Sequence, residues 1–267
     1  MNTEEKKCSE KPQSIEEYKL WLKDYQNIEN IDKYSRFYES VTLKIKRDIE
    51  KSNFWINLNE QLKEYNGKYR LETNYNLFTE IPQLHLDVKS WDSFLLKTFR
   101  FNVLENKKWP NQPQEGWLLP ENWFGRINDI VRTLIVVKYM DGVKFLADGI
   151  EEECNNCNLK AYTSYQAKDE GYYAVHLYSK IKCEIPKDNF SFEEIPIKFE
   201  IQITTQLQEV IRGLLHKHYE EKRKNEPVKE NWKWDYKHDE FSTNYLGHIL
   251  HYIEGMIVEI REKQNGE

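Results

Sequence analysis

The stretch Ile130-Val131-Arg132-Thr133-Leu134-Ile135-Val136-Val137 constrains this chain more than any other part of it. β-Branched side chains suit an extended backbone, and a near-continuous apolar run of strand length belongs inside a sheet covered on both faces. Ile127 to Val137 is therefore expected to form a buried central strand. Tyr173 to Ile185 and Pro196 to Thr204 alternate apolar and polar residues, as half-buried strands do. A short helix is expected between the first two strands, near Asp141 to Glu153.

Helical signals surround this centre. Ser14 with Glu17 forms a capping box ahead of Tyr18, Leu20, Trp21 and Leu22. Phe37, Val41, Ile45 and Ile49 recur at four-residue spacing, and a third helix starts near Asn53 and is expected to break at Asn66-Gly67. Helical periodicity returns from Lys89 to Phe101, and Pro110, Pro113 and Pro120 then mark a loop. Beyond Thr205 two helices are predicted, one to about Arg223 and one from Ser242 to Lys263, joined by a lysine-rich loop over Glu221 to Lys237. The fold class is α+β: a central mixed β-sheet flanked by helices, with helical N- and C-terminal extensions. The expected division is a loose tail over 1–12, one domain over 13–225, and a linker with a C-terminal helix packed on the domain over 226–267.

Composition removes several classes of function. With 39 basic against 45 acidic side chains the net charge is −6, so no global attraction to nucleic acid follows, although a local basic groove is compatible with it. No apolar stretch is long enough to cross a membrane and the polar start has no signal-peptide core, so a soluble, cytoplasmic protein is expected. Four cysteines are too few for a disulfide framework. Cys154 and Cys157 have the spacing of half a zinc site but lack a second pair, which favours free thiols in a loop. Trp232 and Trp234, set among lysines, suit either stacking on bases or packing against the last helix.

Chemistry concentrates in three places. On the strand Pro196 to Thr204, Ile197, Phe199, Ile201 and Ile203 share one face, which puts Lys198, Glu200, Gln202 and Thr204 on the other. That face is either merely exposed or functional, and His176 joins a similar polar face on the neighbouring strand. Asp129 opens the buried run. An acid there needs a cation, either an arginine such as Arg126 or Arg132, or a metal shared with Glu200. Two carboxylates on strands of one sheet suit Mg²⁺, which takes oxygen ligands and keeps waters for phosphates. On the helix expected from Lys89, the residues Lys89, Ser93, Lys97 and Arg100 fall within one quadrant, opposite Trp91, Phe94, Leu95 and Phe99. Such a stripe suits a polyphosphate, which must be held by side chains because no glycine-rich phosphate loop is present.

In chain order, Lys89-Ser90-Trp91-Asp92-Ser93-Phe94-Leu95-Leu96-Lys97, Asn128-Asp129-Ile130, Gly171-Tyr172-Tyr173-Ala174-Val175-His176, Glu200-Ile201-Gln202-Ile203-Thr204-Thr205 and His216-Lys217-His218-Tyr219 resemble the five motifs of the RelA/SpoT synthetase domain, over roughly residues 30 to 225. The resemblance implies a nucleotidyltransferase-like fold and transfer of the β,γ-pyrophosphate of ATP to the 3′-hydroxyl of GTP or GDP, giving (p)ppGpp. It assigns Lys89, Ser93 and Lys97, helped by Arg100, to the ATP phosphates, and Asp129 to Mg²⁺. Glu200 would complete the metal site or activate the acceptor hydroxyl. Tyr172 would stack on the acceptor base beside Lys168, His176 and Gln202, with His216 and Tyr219 in support.

The chain departs from the family pattern at several positions. Asp87 stands where the family has an arginine, and Thr204, Ile211 and Leu215 replace the family's Arg, Trp and Glu. Arg132 and Leu134 occupy the positions of the central-strand motif, with Arg132 supplying a guanidinium from a shifted place. These changes leave the acceptor open. A toxic small synthetase would pyrophosphorylate the 3′ end of tRNA or make adenosine alarmones, with Lys217, Lys222, Arg223 and Lys224 as candidate basic contacts and an antitoxin protein as partner. From another class, an inactive nucleotide-sensing or protein-binding module on the same fold is the alternative. The resemblance includes neither a hydrolase constellation nor regulatory domains, and is compatible with a homo-oligomer.

Overall fold

The computed structural model describes residues 10–186, 191–213 and 232–265. The order is α1 (Ile15–Gln26), α2 (Ser35–Glu50), α3 (Asn53–Thr73), β1 (Asp87–Val88), α4 (Trp91–Phe99), α5 (Trp123–Arg126), β2 (Val131–Val137), α6 (Met140–Asn156), β3 (Ala161–Ala167), β4 (Tyr173–Pro186), β5 (Phe192–Thr205), α7 (206–213) and α8 (Asp239–Asn265). One mixed five-stranded sheet, in the order β1-β2-β5-β4-β3, is flanked by helices, so the architecture is α+β as expected. The described residues form two compact units: residues 10–50, 86–132, 180–186 and 191–199, and residues 51–85, 133–179, 200–213 and 232–265.

In the first unit, Ser14 caps α1 by accepting from the Glu17 amide at 3.1 Å, while the Glu17 carboxylate reaches back to the Gln13 amide. The Tyr18 hydroxyl meets Thr98 and Asn102, and Asn102 also holds both the amide and the carbonyl of Leu118. The amide of Asn102 is thus fully used inside the core, which ties the proline-marked loop to the turn after α4. The apolar side of α4 enters an aromatic cluster in which Phe94 lies 4.3 Å from Tyr38 and 4.9 Å from Trp123, ring centre to ring centre. Such burial is what fixes the opposite, polar side of α4 in place.

In the second unit, α3 packs on α6 through a buried carboxylate: Glu153 accepts from Asn57 at 2.9 Å and from Gln61 at 2.7 Å. The helix α3 runs straight through Asn66-Gly67 to Thr73. The expected break fails there because Asn66 turns its carbonyl to the amides of Leu77 and Phe78, and the stop comes at Asn74, which takes the left-handed conformation with φ 65°.

Two strands escaped the sequence pattern. β1 has two residues, and β3 is a polar edge strand paired antiparallel with β4 from Ala161↔Ser179 to Ala167↔Tyr173. An edge strand buries little on either face and needs no apolar alternation. The central strand begins at Val131, later than expected, which leaves Asp129 on the bend before it.

Candidate functional site

The first cluster lies in the first unit, where the end of β1 turns into α4. Lys89 precedes the helix instead of belonging to it, and Ser90 is the N-cap, its hydroxyl accepting from the Ser93 amide. The reason is local: Lys89 is still held by the sheet, its amide donating to the Ile130 carbonyl at 2.9 Å, while its own carbonyl accepts the Tyr38 hydroxyl at 2.8 Å. With the backbone pinned on both sides, the ammonium of Lys89 reaches Asp129 Oδ2 at 2.9 Å. Lys97, two turns along α4, reaches Asp129 Oδ1 at 2.7 Å. Lys89 and Asp129 are largely buried, with side chains 12% and 16% exposed, whereas Lys97 is 42% exposed.

Burial alone would raise the Asp129 carboxyl, but the Lys97 and Lys89 charges outweigh it and hold it below its ordinary value. Lys89 moves the other way: burial lowers its ammonium against the pull of Asp129, with the charges of Lys97 and Arg132 adding to the lowering. Arg132 is therefore close enough to be felt by this cluster, in register opposite Asp87. The Ser93 hydroxyl accepts from that of Ser90 at 3.0 Å, which puts two hydroxyls at the amino end of α4. Arg100 is half exposed. It starts a π turn after α4, and its guanidinium is taken by Glu105.

The second cluster lies in the second unit and is a chain of hydrogen bonds. Glu200 is 3% exposed; its Oε1 lies 2.6 Å from His176 Nδ1 and its Oε2 accepts from Gln202 at 3.0 Å. The other imidazole nitrogen, Nε2, lies 2.8 Å from the Tyr172 hydroxyl, and the Tyr178 hydroxyl is 3.2 Å from Nδ1. Burial pushes the Glu200 carboxyl up, yet its bonds to His176, Gln202 and Tyr178 bring it net below the ordinary value. The polar face of β5 is thus neither exposed nor idle: Gln202 and Thr204 are buried as well.

Tyr172 sits after a tight turn in which the Gly171 amide donates to the Lys168 carbonyl and the Lys168 amide to the Tyr172 carbonyl. Gly171 adopts φ 75°, and a Cβ there would stand 2.4 Å from the Asn244 carbonyl oxygen on α8. Only glycine fits both demands. Lys168 lies over the Tyr172 ring at 5.4 Å, and Tyr173 stacks on His251 of α8 at 3.6 Å.

Within each unit the expected residues converge: Lys89, Lys97 and Asp129 in one, and Lys168, Tyr172, His176, Glu200 and Gln202 in the other. His216 and Tyr219, with Lys217, Lys222, Arg223 and Lys224, lie outside the described residues. Tyr178 was missed as a site residue, although its position two residues after His176 on the same strand face was the available signal.

A hard cation finds suitable donors in kind, since Asp129 and Glu200 are both held ionised. Among the described residues, no three His, Cys, Asp or Glu side chains gather into a ready-made metal centre. The zinc alternative finds less support. Cys154 and Cys157 end α6 instead of sitting in a loop, burial pushes the Cys154 thiol up to about 12, and the Cys157 thiol donates to Glu153. The paired tryptophans divide, with Trp232 buried against Tyr245 and Trp234 exposed.

Crystal structures of small alarmone synthetases share this fold. The small alarmone synthetase 1 from Bacillus subtilis bound to its product pppGpp is 16% identical, covers 85% of this chain and 97% of its own, and superposes with a TM-score of 0.57. A second structure of the same enzyme gives 14% identity, 88% and 98% coverage and a TM-score of 0.53. A GTP pyrophosphokinase family protein from Streptococcus pneumoniae gives 16% identity, 87% and 95% coverage and 0.50. No protein-family model and no curated protein matches the sequence. What is shared is the fold, across most of both chains.

Proposed function

We propose that this chain, which has the small alarmone synthetase fold, is a pyrophosphokinase that transfers the β,γ-pyrophosphate of ATP to the 3′-hydroxyl of GTP or GDP. The observation that carries the reading is Asp129 held ionised between the ammonium groups of Lys89 and Lys97 at the amino end of a helix. That combination suits a polyphosphate: the helix end favours anions, and a half-exposed lysine can leave its carboxylate for a phosphate oxygen. The Bacillus subtilis neighbour was solved with pppGpp, which supports a guanosine acceptor.

In the proposed reaction the acceptor 3′-oxygen bonds to the β-phosphorus, the bridge between the α- and β-phosphates breaks, AMP leaves with the bridging oxygen, and the hydroxyl proton is lost to a base. Glu200 is the residue assigned to receive that proton, its basicity set by His176 and Gln202. Lys89, Lys97 and Ser93 are assigned to the phosphates, and Tyr172 and Lys168 to the acceptor base. Asp129 would hold Mg²⁺, which when bound supplies charge neutralisation to the phosphates. Little covalent work falls to the protein; position and charge carry the rate.

A tRNA acceptor is the second reading, favoured by the departures from the family pattern. Thr204 stands where the family has an arginine, and its hydroxyl donates to the Tyr173 carbonyl, so no guanidinium is available there. Incubation with γ-labelled ATP and GDP, GTP, ATP or tRNA separates the readings. Label on a guanosine nucleotide is expected; label only on tRNA or only on an adenosine nucleotide reassigns the acceptor. Asp129→Ala is expected to abolish transfer, and a wild-type chain that binds nucleotide without transferring label would make it a sensor.

A further inference from the structure

Lys198 stands on the polar face of β5, and the reaction proposed above gives it no task. Its ammonium donates to Asn128 Oδ1 at 2.8 Å, and Asn128 is the residue before Asp129. The lysine is half-buried, yet its partner is a neutral oxygen. Lys180, on the neighbouring strand β4, adds a second ammonium instead of an acid: burial lowers the Lys198 ammonium, and the charge of Lys180 lowers it further. Glu115 pulls the other way, but its carboxylate is 76% exposed and its ion pair, at 3.7 Å, is with Arg126. All of these residues belong to the first unit, as do Lys89, Lys97 and Asp129. Among the described residues of a chain whose net charge is −6, Asp129 is thus the one carboxylate paired with any of Lys89, Lys97, Lys180 and Lys198. Ammonium groups held near each other without an acid repel, and the arrangement becomes favourable when an anion meets them.

We propose that Lys198, seconded by Lys180, is a further phosphate-binding site of this chain, for oxygens that Lys89, Ser93 and Lys97 leave uncovered. It rests on the pyrophosphokinase reading for the identity of its substrates, but not for the site itself. In that reaction the cluster at α4 takes the two phosphates that are transferred, and two sets of oxygens remain: the α-phosphate of ATP and the 5′-phosphates of the acceptor. Both are the same chemistry, a phosphate anion met by an ammonium point charge. Asn128 supplies the resting contact. Its neutral oxygen is given up for a phosphate oxygen more readily than a carboxylate would be, because charge-assisted bonds are the stronger ones. A structural tie from β5 to the bend before β2 is the other use of that bond, and it calls for no second lysine.

The probe is inorganic tripolyphosphate, titrated calorimetrically into the full chain, so that binding is read without catalysis. The wild type is expected to bind it and Lys198→Met to bind it roughly 10- to 100-fold more weakly, while Lys198→Arg, which keeps the charge, stays near the wild type. Lys180→Met, at an exposed position, is expected to weaken binding by a smaller factor and carries the same test if Lys198→Met does not fold. Equal affinity in the wild type and a folded Lys198→Met overturns the proposal, as does a wild type that binds no tripolyphosphate. A purely structural lysine would instead lower the melting temperature on replacement and leave the affinity alone. Initial rates then assign the oxygens. A KM raised for ATP alone gives Lys198 to the donor's α-phosphate, and one raised for GDP and GTP gives it to the acceptor. An active Lys198→Met enzyme with both KM values unchanged overturns the assignment to substrate. If no acceptor receives label, weakened tripolyphosphate binding in Lys198→Met still upholds the anion site, and only the reaction falls.

Discussion

Asp129 is a carboxylate with an ammonium group on each oxygen, and the two ammonium groups are not equivalent. Lys89 is pinned by its backbone and nearly buried, while Lys97 hangs from an exposed helical face. Lys97→Met should lower stability by about 1 kcal/mol, because it takes one of two cations from the largely buried Asp129. It should raise the KM for ATP by roughly 10- to 100-fold, the equivalent of one charge-assisted hydrogen bond. A large fall in melting temperature with unchanged KM would contradict that division of labour. Glu200 gives a pH dependence with a definite sign. Its folded-state pKa lies below its unfolded value, so its contribution to stability is complete above about pH 5 and is lost as pH falls through the lowered value. Urea midpoints measured from pH 6 down to pH 3 should fall for the wild type and fall less steeply for Glu200→Gln. An equal slope in both proteins would remove Glu200 from the acid limb.

At the scale of elements, the Lys168–Tyr172 turn depends on α8. A Cβ on Gly247 would stand 2.3 Å from the Gly171 carbonyl oxygen, backbone against backbone, so nothing flexible can give way. Gly247→Ala is expected to cost roughly 1–3 kcal/mol through this overpacking. It should also raise the KM for the acceptor by displacing Lys168 and Tyr172, with the KM for ATP unaffected, as measured by thermal unfolding and initial rates. The cap of α4 is a smaller device: Ser90→Ala should cost about 1 kcal/mol, read from denaturation midpoints. Long, strongly periodic elements could be read directly. Ser14 capped α1 as its capping box implied, and the apolar spacing of α2 became its buried face. Elements without that signal could not be read: β3 is polar because it is an edge, and α3 passes Gly67 because nothing packs there and Asn66 is used elsewhere.

At the scale of the whole molecule, distant parts of the chain meet around a buried cation. Arg261 pairs with Asp141 and donates to the Tyr69 hydroxyl, partners 120 and 192 residues away. Removing it strips the Tyr69, Tyr75 and Tyr139 rings of their cation and leaves Asp141 with the Tyr69 hydroxyl but without its cation. Arg261→Ala should therefore destabilise by about 3 kcal/mol, near the lower end for a broken buried pair, because Asp141 retains some access to water. Differential scanning calorimetry would show this, and an unchanged melting temperature would assign the pair no structural weight.

The order of residue types by itself determined which strands hold the centre, which helices flank them, and which side chains share a face, because periods of 2 and 3.6 are local properties of the backbone. It also picked out Lys89, Lys97, Asp129, His176 and Glu200 as chemistry-bearing. Only the tertiary structure decided who pairs with whom: that Asp129 takes two lysines, that Arg100 turns to Glu105, that Tyr178 joins His176, and that α8 faces its polar side inward. Those outcomes depend on distances between segments far apart in the chain and on which groups lose water together, and no local pattern carries that information.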